Sequence, residues 1–275
     1  MSRLLAAGFT RLKKSKIFWL LMVMMFALGI FFPVSQYNSM QKYNTSGTLD
    51  SPFFSHVMFM GILTAVFCSL FIGTEYSDGT IRNKLIVGHS RKSIYLSNLI
   101  LCTAAGAAIS ISYMTACLIA GLPLIGSFQM GTKAAVILML CSIVITTTYT
   151  ALFTLASMLI HNKAILSIVT VISAFMLLMT ASYIYASLSQ PEMYTDYIMN
   201  ESGEVTQSEP VPNTHYVRGA KREVYEFLME FLPSGQDLMI ISAEAPIERM
   251  VIYDLCIITA STGLGLWGFL KKDIK

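Results

Sequence analysis

The chain has 275 residues, 55% of them hydrophobic and 13% charged, with a formal net charge of +3 and a mean hydropathy of +0.62. A soluble domain of this length interleaves charge on every element, whereas here charge is swept into short intervals between long apolar runs. That pattern excludes an ordinary soluble fold and points to a polytopic membrane protein, with no nucleic-acid partner.

The N-terminal stretch, residues 1–16, carries Leu5, Phe9 and Leu12 at helical spacing, with Arg3, Arg11, Lys13 and Lys14 around them. It reads as a short helix lying in the membrane interface. Six apolar runs follow, at residues 17–34, 56–74, 97–122, 134–160, 164–187 and 251–270. Each is long enough to carry a helix across about 30 Å of hydrocarbon. They are continuously apolar rather than alternating, which rules out a β-barrel. No A-x-A-like cleavage site follows the first run, which reads "GIFFPVSQYN", so it is expected to be a retained span. Asp254, in the first turn of the last run, is the one carboxylate within the spans.

Between runs two and three lies a charged segment, residues 75–96. Asp78 and Gly79 precede "TIRNKLIV", whose Ile81, Leu85 and Ile86 suit one face of a two-turn helix. Gly88 suits its C-terminal end and Ser90 the N-cap of the next span. Small residues recur in span three (Ala104, Gly106, Ala108, Ser112) and span six (Gly263, Gly265, Gly268), as in helices that pack closely in lipid.

The longest polar interval, residues 188–250, holds eleven acids against four Lys/Arg. Its first part, "SQPEMYTDYIMNESGEVTQSEPVPN", reads as polar and irregular. Its second part reads as an amphipathic helix with an apolar stripe of Val224, Phe227, Leu228, Phe231 and Leu232, an Arg222–Glu226 pair on the other face, and Pro233 as terminator. "DLMIISAEAP" behind it is apolar enough to dip toward the membrane.

Thirteen Lys/Arg lie on the side that holds both termini and the 75–96 segment, and six on the other. The positive-inside rule makes the richer side cytoplasmic and residues 188–250 an extracellular loop. The five cysteines fall in the spans with no C-x-x-C, which gives neither a disulfide framework nor a zinc site. No catalytic or metal site is expected. There is no G-x-x-x-x-G-K-[ST]: "GSFQMGTK" has Thr132 where the Lys belongs. The four histidines are dispersed, no H-E-x-x-H exists, and neither a charged midplane nor an Arg-rich sensor helix is evident.

"FIGTEYSDGTIRNKLIVGHSRKSIYLSNLI" resembles the loop after span two of bacterial type-2 ATP-binding-cassette (ABC) permeases. Gly73, Glu75, Tyr76, Gly79, Thr80, Ile81, Arg82, Lys84, Leu85, Ser90 and Arg91 occupy the recurring places. "YVRGAKREVYEFLMEFLPSGQ", ending in Leu-Pro-x-Gly-Gln at Leu232 to Gln236, is similar to the segment before the last span of Gram-positive members, as is the tail "FLKKDIK". The resemblance implies an all-α permease, one domain over residues 1–275, in the bacterial plasma membrane with both termini cytoplasmic. It implies that the loop is a coupling helix docking on cytoplasmic ABC ATPase subunits through Glu75, Gly79, Thr80, Ile81, Arg82, Lys84, Leu85 and Arg91. Ile81 and Leu85 would be its buried knob. ATP and magnesium would sit on those subunits and no cofactor in this chain. A second permease chain, identical or not, would complete the bundle. The function so implied is ATP-driven export of an amphipathic compound or antimicrobial peptide. Export of sodium or a polymer, or a membrane sensor or scaffold that signals through its ATPase, are the alternatives.

Overall fold

Ser15 separates the first two helices. Its backbone is extended, and its hydroxyl accepts a hydrogen bond from the Phe18 N–H (3.3 Å), capping one of the donors that a helix start leaves free. The chain therefore leaves α1 (Ser2–Lys14) and turns into α2 (Lys16–Tyr43). The computed structural model describes residues 1–195, 197–199, 205–207, 209–243 and 245–272. Beyond α2 come α3 (Asp50–Phe54), α4 (Val57–Ser77), α5 (Thr80–Ile86), α6 (Arg91–Leu124), α7 (Thr132–Leu159) and α8 (Lys163–Leu188). Four short strands, β1 (Met193–Tyr194), β2 (Tyr197–Met199), β3 (Val205–Gln207) and β4 (Val211–Pro212), lead to α9 (Ala220–Phe231), α10 (Pro233–Ile241) and α11 (Ile247–Lys271).

Six of these segments are long and apolar enough to cross a membrane: α2, α3–α4 together, α6, α7, α8 and α11. Each coincides with an expected run, and all but α7, which stops one residue short at Leu159, extend past it at both ends, because polar residues at a helix end still fit the helix once it leaves the hydrocarbon. The protein is an all-α, multi-pass membrane protein. Its basic end carries α1, α5, the α7–α8 connection and the end of α11. The far end carries α3, the strands, α9 and α10.

The stripe expected on α1 is rotated in the structure. Leu4 and Leu12 are buried and Gly8 lies against Leu101 of α6, while Phe9 is exposed. Leu4, Gly8 and Leu12 recur every four residues and so form the packing ridge, leaving Phe9 to face outward.

α4 is the most enclosed span, packed by α6, α7 and α8, whereas α8 and α11 expose most of their surface. Close approach is made by small residues, as the spacing suggests, though not always the expected ones. Gly29 of α2 lies against the backbone of Tyr113 and Cys117, and Gly106 against Thr146. Gly265 and Gly268 of α11 meet Tyr95 and Leu159. Ser112 donates to the Met22 carbonyl of α2 (3.1 Å). Cys68, Cys102, Cys117 and Cys141 are buried packing residues, and Cys256 is exposed on α11.

At the far end the Asp50 carboxylate accepts from the Gln129 and Met130 N–H groups (3.0 and 3.4 Å), joining the start of α3 to the α6–α7 connection. The segment expected to be irregular contains two antiparallel pairs, β1 with β4 and β2 with β3. Asp196, Glu201 and Glu204 of that segment, and the last three residues of the expected tail, lie outside the described residues.

Pro233 ends α9 as expected, but it also opens α10. Proline suits the first helical position because its missing N–H would be unsatisfied there anyway. α10 enters the bundle between α4, α7 and α8 and buries Ser234, Gly235, Gln236, Asp237 and Ile240. Gly235 permits the sharp α9–α10 corner, since a Cβ there would stand 2.8 Å from the Met229 Cα. Gly235→Ala must push the two helices apart. We expect it to cost about 1–3 kcal/mol as overpacking does, read as a lower melting temperature in detergent; an unchanged melt would refute this account of the corner.

Candidate functional site

Glu75 lies two residues from the C-terminal end of α4, at the basic end of the bundle, and is buried. A buried carboxylate has to be paired or neutral. Its Oε1 receives both the Arg11 guanidinium of α1 and the Lys84 ammonium of α5, and its Oε2 accepts from the Asn98 amide of α6 (2.9 Å). The Arg11 guanidinium also stacks on the Phe71 ring, 3.6 Å from its centroid. One carboxylate thus ties α1, α5 and the spans α4 and α6 together.

α5 is built as its sequence suggests. Gly79 precedes it with a left-handed φ of 65°. Gly88 follows it at φ 93°, with its N–H on the Leu85 carbonyl and the His89 N–H on the Lys84 carbonyl, the paired closure of a Schellman motif. Ser90 caps α6 through the Ser93 N–H (3.2 Å). Thr80 is half-buried at the first turn.

The orientation of α5 differs from expectation. Ile81 is 1% exposed and belongs to the chain's own core, with Leu85 half-buried against it. The apolar residues turned outward are Ile86 and Val87, 73% and 76% exposed. Glu75 is consumed by the chain's own cations, so among the expected contact residues Arg82, exposed, is the charged one on α5 left facing out. The reason is positional. Lys84 must reach back to Glu75 while Ile81 drops onto the end of the bundle, which rotates Arg82 and Ile86, four residues apart, to the open side.

Three further cations converge on the same end. Arg91 donates to the carbonyls of Phe269 (2.9 Å) and Lys272, closing the end of α11 onto the start of α6. Lys163 reaches the Thr74 hydroxyl (3.0 Å). Lys272 donates to Tyr76 Oη (3.0 Å) and the Met158 carbonyl (2.8 Å), and burial lowers its pKa to about 8. Arg11, Asn98, Lys163 and Lys272 are outside the expected contact set. The available signal was Glu75 itself, an acid at a span end among basic residues, which had to find partners within the chain.

At the far end, the predicted Arg222–Glu226 pair forms (2.9 Å). The α9 stripe is only partly covered. Phe227 and Phe231 stack on one another (5.5 Å) and meet Tyr253 of α11 edge-on (5.8 Å each), Leu228 and Leu232 are half-buried, and Val224 stays exposed. Pro233 is buried in α10. Behind it an apolar cavity of about 670 Å³ lies between α7, α8 and α11, lined by Phe153, Thr170, Met176, Leu177, Phe231 and Pro233 among others. Asp237, buried, accepts from Tyr149 Oη (2.7 Å), and burial pushes its carboxyl well up from the ordinary range. Asp254 sits two turns into α11, deeper than its expected first-turn place, and accepts from Thr148 (2.8 Å). A second cavity, polar, gathers the basic side of the loop: His215, Arg218 and Lys221 with Tyr183, Tyr194 and Tyr216.

Six spans and a short helix held across two of them on a shared carboxylate make the chain a multi-pass membrane protein with a structured polar end. The family model described as ABC-2 family transporter protein matches residues 4–195, and the chain belongs to that family. It is the permease subunit of an ABC transporter, the transport component rather than the catalytic one. A comparison with curated proteins gave no match.

Proposed function

We propose that the chain is one permease domain over residues 1–275 of a bacterial plasma-membrane exporter, with both termini in the cytoplasm. Two such chains, identical or not, work with two separate ATPase subunits that hold ATP and magnesium and drive an amphipathic compound or antimicrobial peptide out of the cell. The observation that carries the reading is the presentation of α5. This helix is pinned to α1, α4 and α6 through Glu75 and turns Ile86 and Val87 outward. An exposed apolar pair on a rigidly held helix is what a partner's groove takes up, and motion of that helix must be passed to α4 and α6 through the carboxylate. The apolar cavity beside α8 suits a lipophilic passenger, and the outward apolar faces of α8 and α11 suit lipid or the second chain.

The test is co-purification of the ATPase with Ile86→Asp and Val87→Asp permeases, alongside membrane expression. Losing one buried apolar side chain is worth about 1.5–3 kcal/mol, so ATPase recovery should fall about ten-fold or more at unchanged expression. Full ATPase recovery with normal transport in both variants would overturn the docking role of α5.

A further inference from the structure

A cavity of about 450 Å³ opens at the basic end between α5 and the α7–α8 connection. Its lining includes Tyr76, Gly79, Arg82, His161 and Lys163, with Glu75 at its floor. Arg11, Lys84 and Asn98 already use both oxygens of that carboxylate. Among the described residues the remaining cations have none. Lys163 reaches only a hydroxyl, Lys272 beside it reaches a phenol and a carbonyl, and Arg82 makes no ion pair among the described residues. Asp78 is exposed and is not part of the lining. Two loops far apart in sequence therefore enclose a polar hole whose positive charge is unmatched among the described residues, and such a hole attracts an anionic group.

We propose that this cavity receives an acidic side chain of the docking ATPase, held by Arg82 and Lys163. The inference rests on the reading of α5 as the docking helix and adds the α7–α8 connection to the contact. The geometry favours a protein carboxylate because Arg82 and Ile86 lie four residues apart on α5, on one face. A partner seated on Ile86 is then within reach of the cavity mouth. Since Arg82 is exposed and Lys163 half-buried at the rim, their charge can be reversed without disturbing the core.

The experiment uses the full permease co-expressed with its ATPase, comparing Arg82→Glu, Lys163→Glu and Lys163→Arg with Ile86→Asp, with membrane yield as the folding control. Each reversal should lower ATPase recovery about ten-fold, Lys163→Arg should keep it, and wild-type recovery should fall with rising salt. An Asp/Glu→Lys change on the ATPase docking surface that restores recovery with Arg82→Glu would identify the acid. Arg82→Glu serves should Lys163→Glu reduce yield. Full recovery in Arg82→Glu while Ile86→Asp loses the ATPase overturns the acid contact and leaves α5 docking intact; full recovery in all variants overturns both. If reversal leaves recovery unchanged but abolishes stabilisation by phosphatidylglycerol vesicles, the cavity holds a lipid headgroup and the proposal fails.

Discussion

Replacing Glu75 by alanine will destabilise the basic end of the bundle more than any other single change there. It leaves the Arg11 guanidinium, the Lys84 ammonium and the Asn98 amide without their common acceptor. Removing one partner of a fully buried pair costs about 3–5 kcal/mol. Here 33% of the Arg11 and 21% of the Lys84 side-chain surface is exposed, so water recovers part of the loss. About 2–3 kcal/mol is the expected effect, seen as a lower melting temperature in detergent. Protease should also cut sooner at the α1–α2 junction, since α1 loses its ion pair and is left with the Leu4, Gly8 and Leu12 packing and the contact of Arg11 with Phe71. Glu75→Gln preserves the shape and an acceptor oxygen and should lose roughly half as much. Equal stability of wild type and Glu75→Ala would mean that Arg11 and Lys84 serve only membrane topology, and the mechanical link from α5 into the spans would have to be abandoned.

The second large effect concerns pH at the other end. Asp237 is buried within the bundle, its partner is the Tyr149 hydroxyl, and the nearby acid Asp254 of α11 adds like charge. Its carboxyl is raised in the folded state above its ordinary value of 3.8, chiefly by burial. For a raised acid the folded state holds the proton longer than the unfolded one. The contribution to stability is therefore complete below about pH 4 and is lost as pH rises toward the folded value, at about 1.4 kcal/mol per pH unit. Asp237→Asn keeps a neutral acceptor for Tyr149 and removes the titration. The melting temperature of Asp237→Asn minus that of the wild type should then widen from pH 5 to pH 8, and the seat of α10 should loosen in the wild type over the same range. A constant difference across that range would show that the carboxyl is ionised and matched by another group.

Part of this site was legible from the residues alone. Gly79 and Gly88 bound α5 and Ser90 starts α6 as their chemistry demands, because capping is settled by the few residues around a helix end. The resemblance of "GTEYSDGTIRNKL" to ABC-2 permeases located the segment, and the family match agrees with it. Periodicity alone, however, did not say which face of α5 is inward. Ile81, Leu85 and Ile86 are equally apolar, and only the reach of Lys84 to Glu75 decides that Ile81 is core and Ile86 is surface. α1 shows the same limit: Leu5, Phe9 and Leu12 make as good a stripe as Leu4, Gly8 and Leu12 until Leu101 of α6 is placed against Gly8. α10 escaped because a nine-residue helix beginning at proline and holding an aspartate looks like the end of a helix rather than the beginning of another.

What the sequence determined by itself was the set of six spans, because in hydrocarbon each stretch of backbone must satisfy its own hydrogen bonds, and that requirement is met locally by about 20 apolar residues in a row. What only the tertiary structure decided was which groups come together: Arg11 and Lys84 on Glu75, Tyr149 on Asp237, Lys163 and Arg82 around one cavity. Those encounters join residues as far apart as 88 positions, and they are fixed by how small residues let particular helices approach. A desolvated carboxylate must have some partner, but the packing of the spans chooses which one.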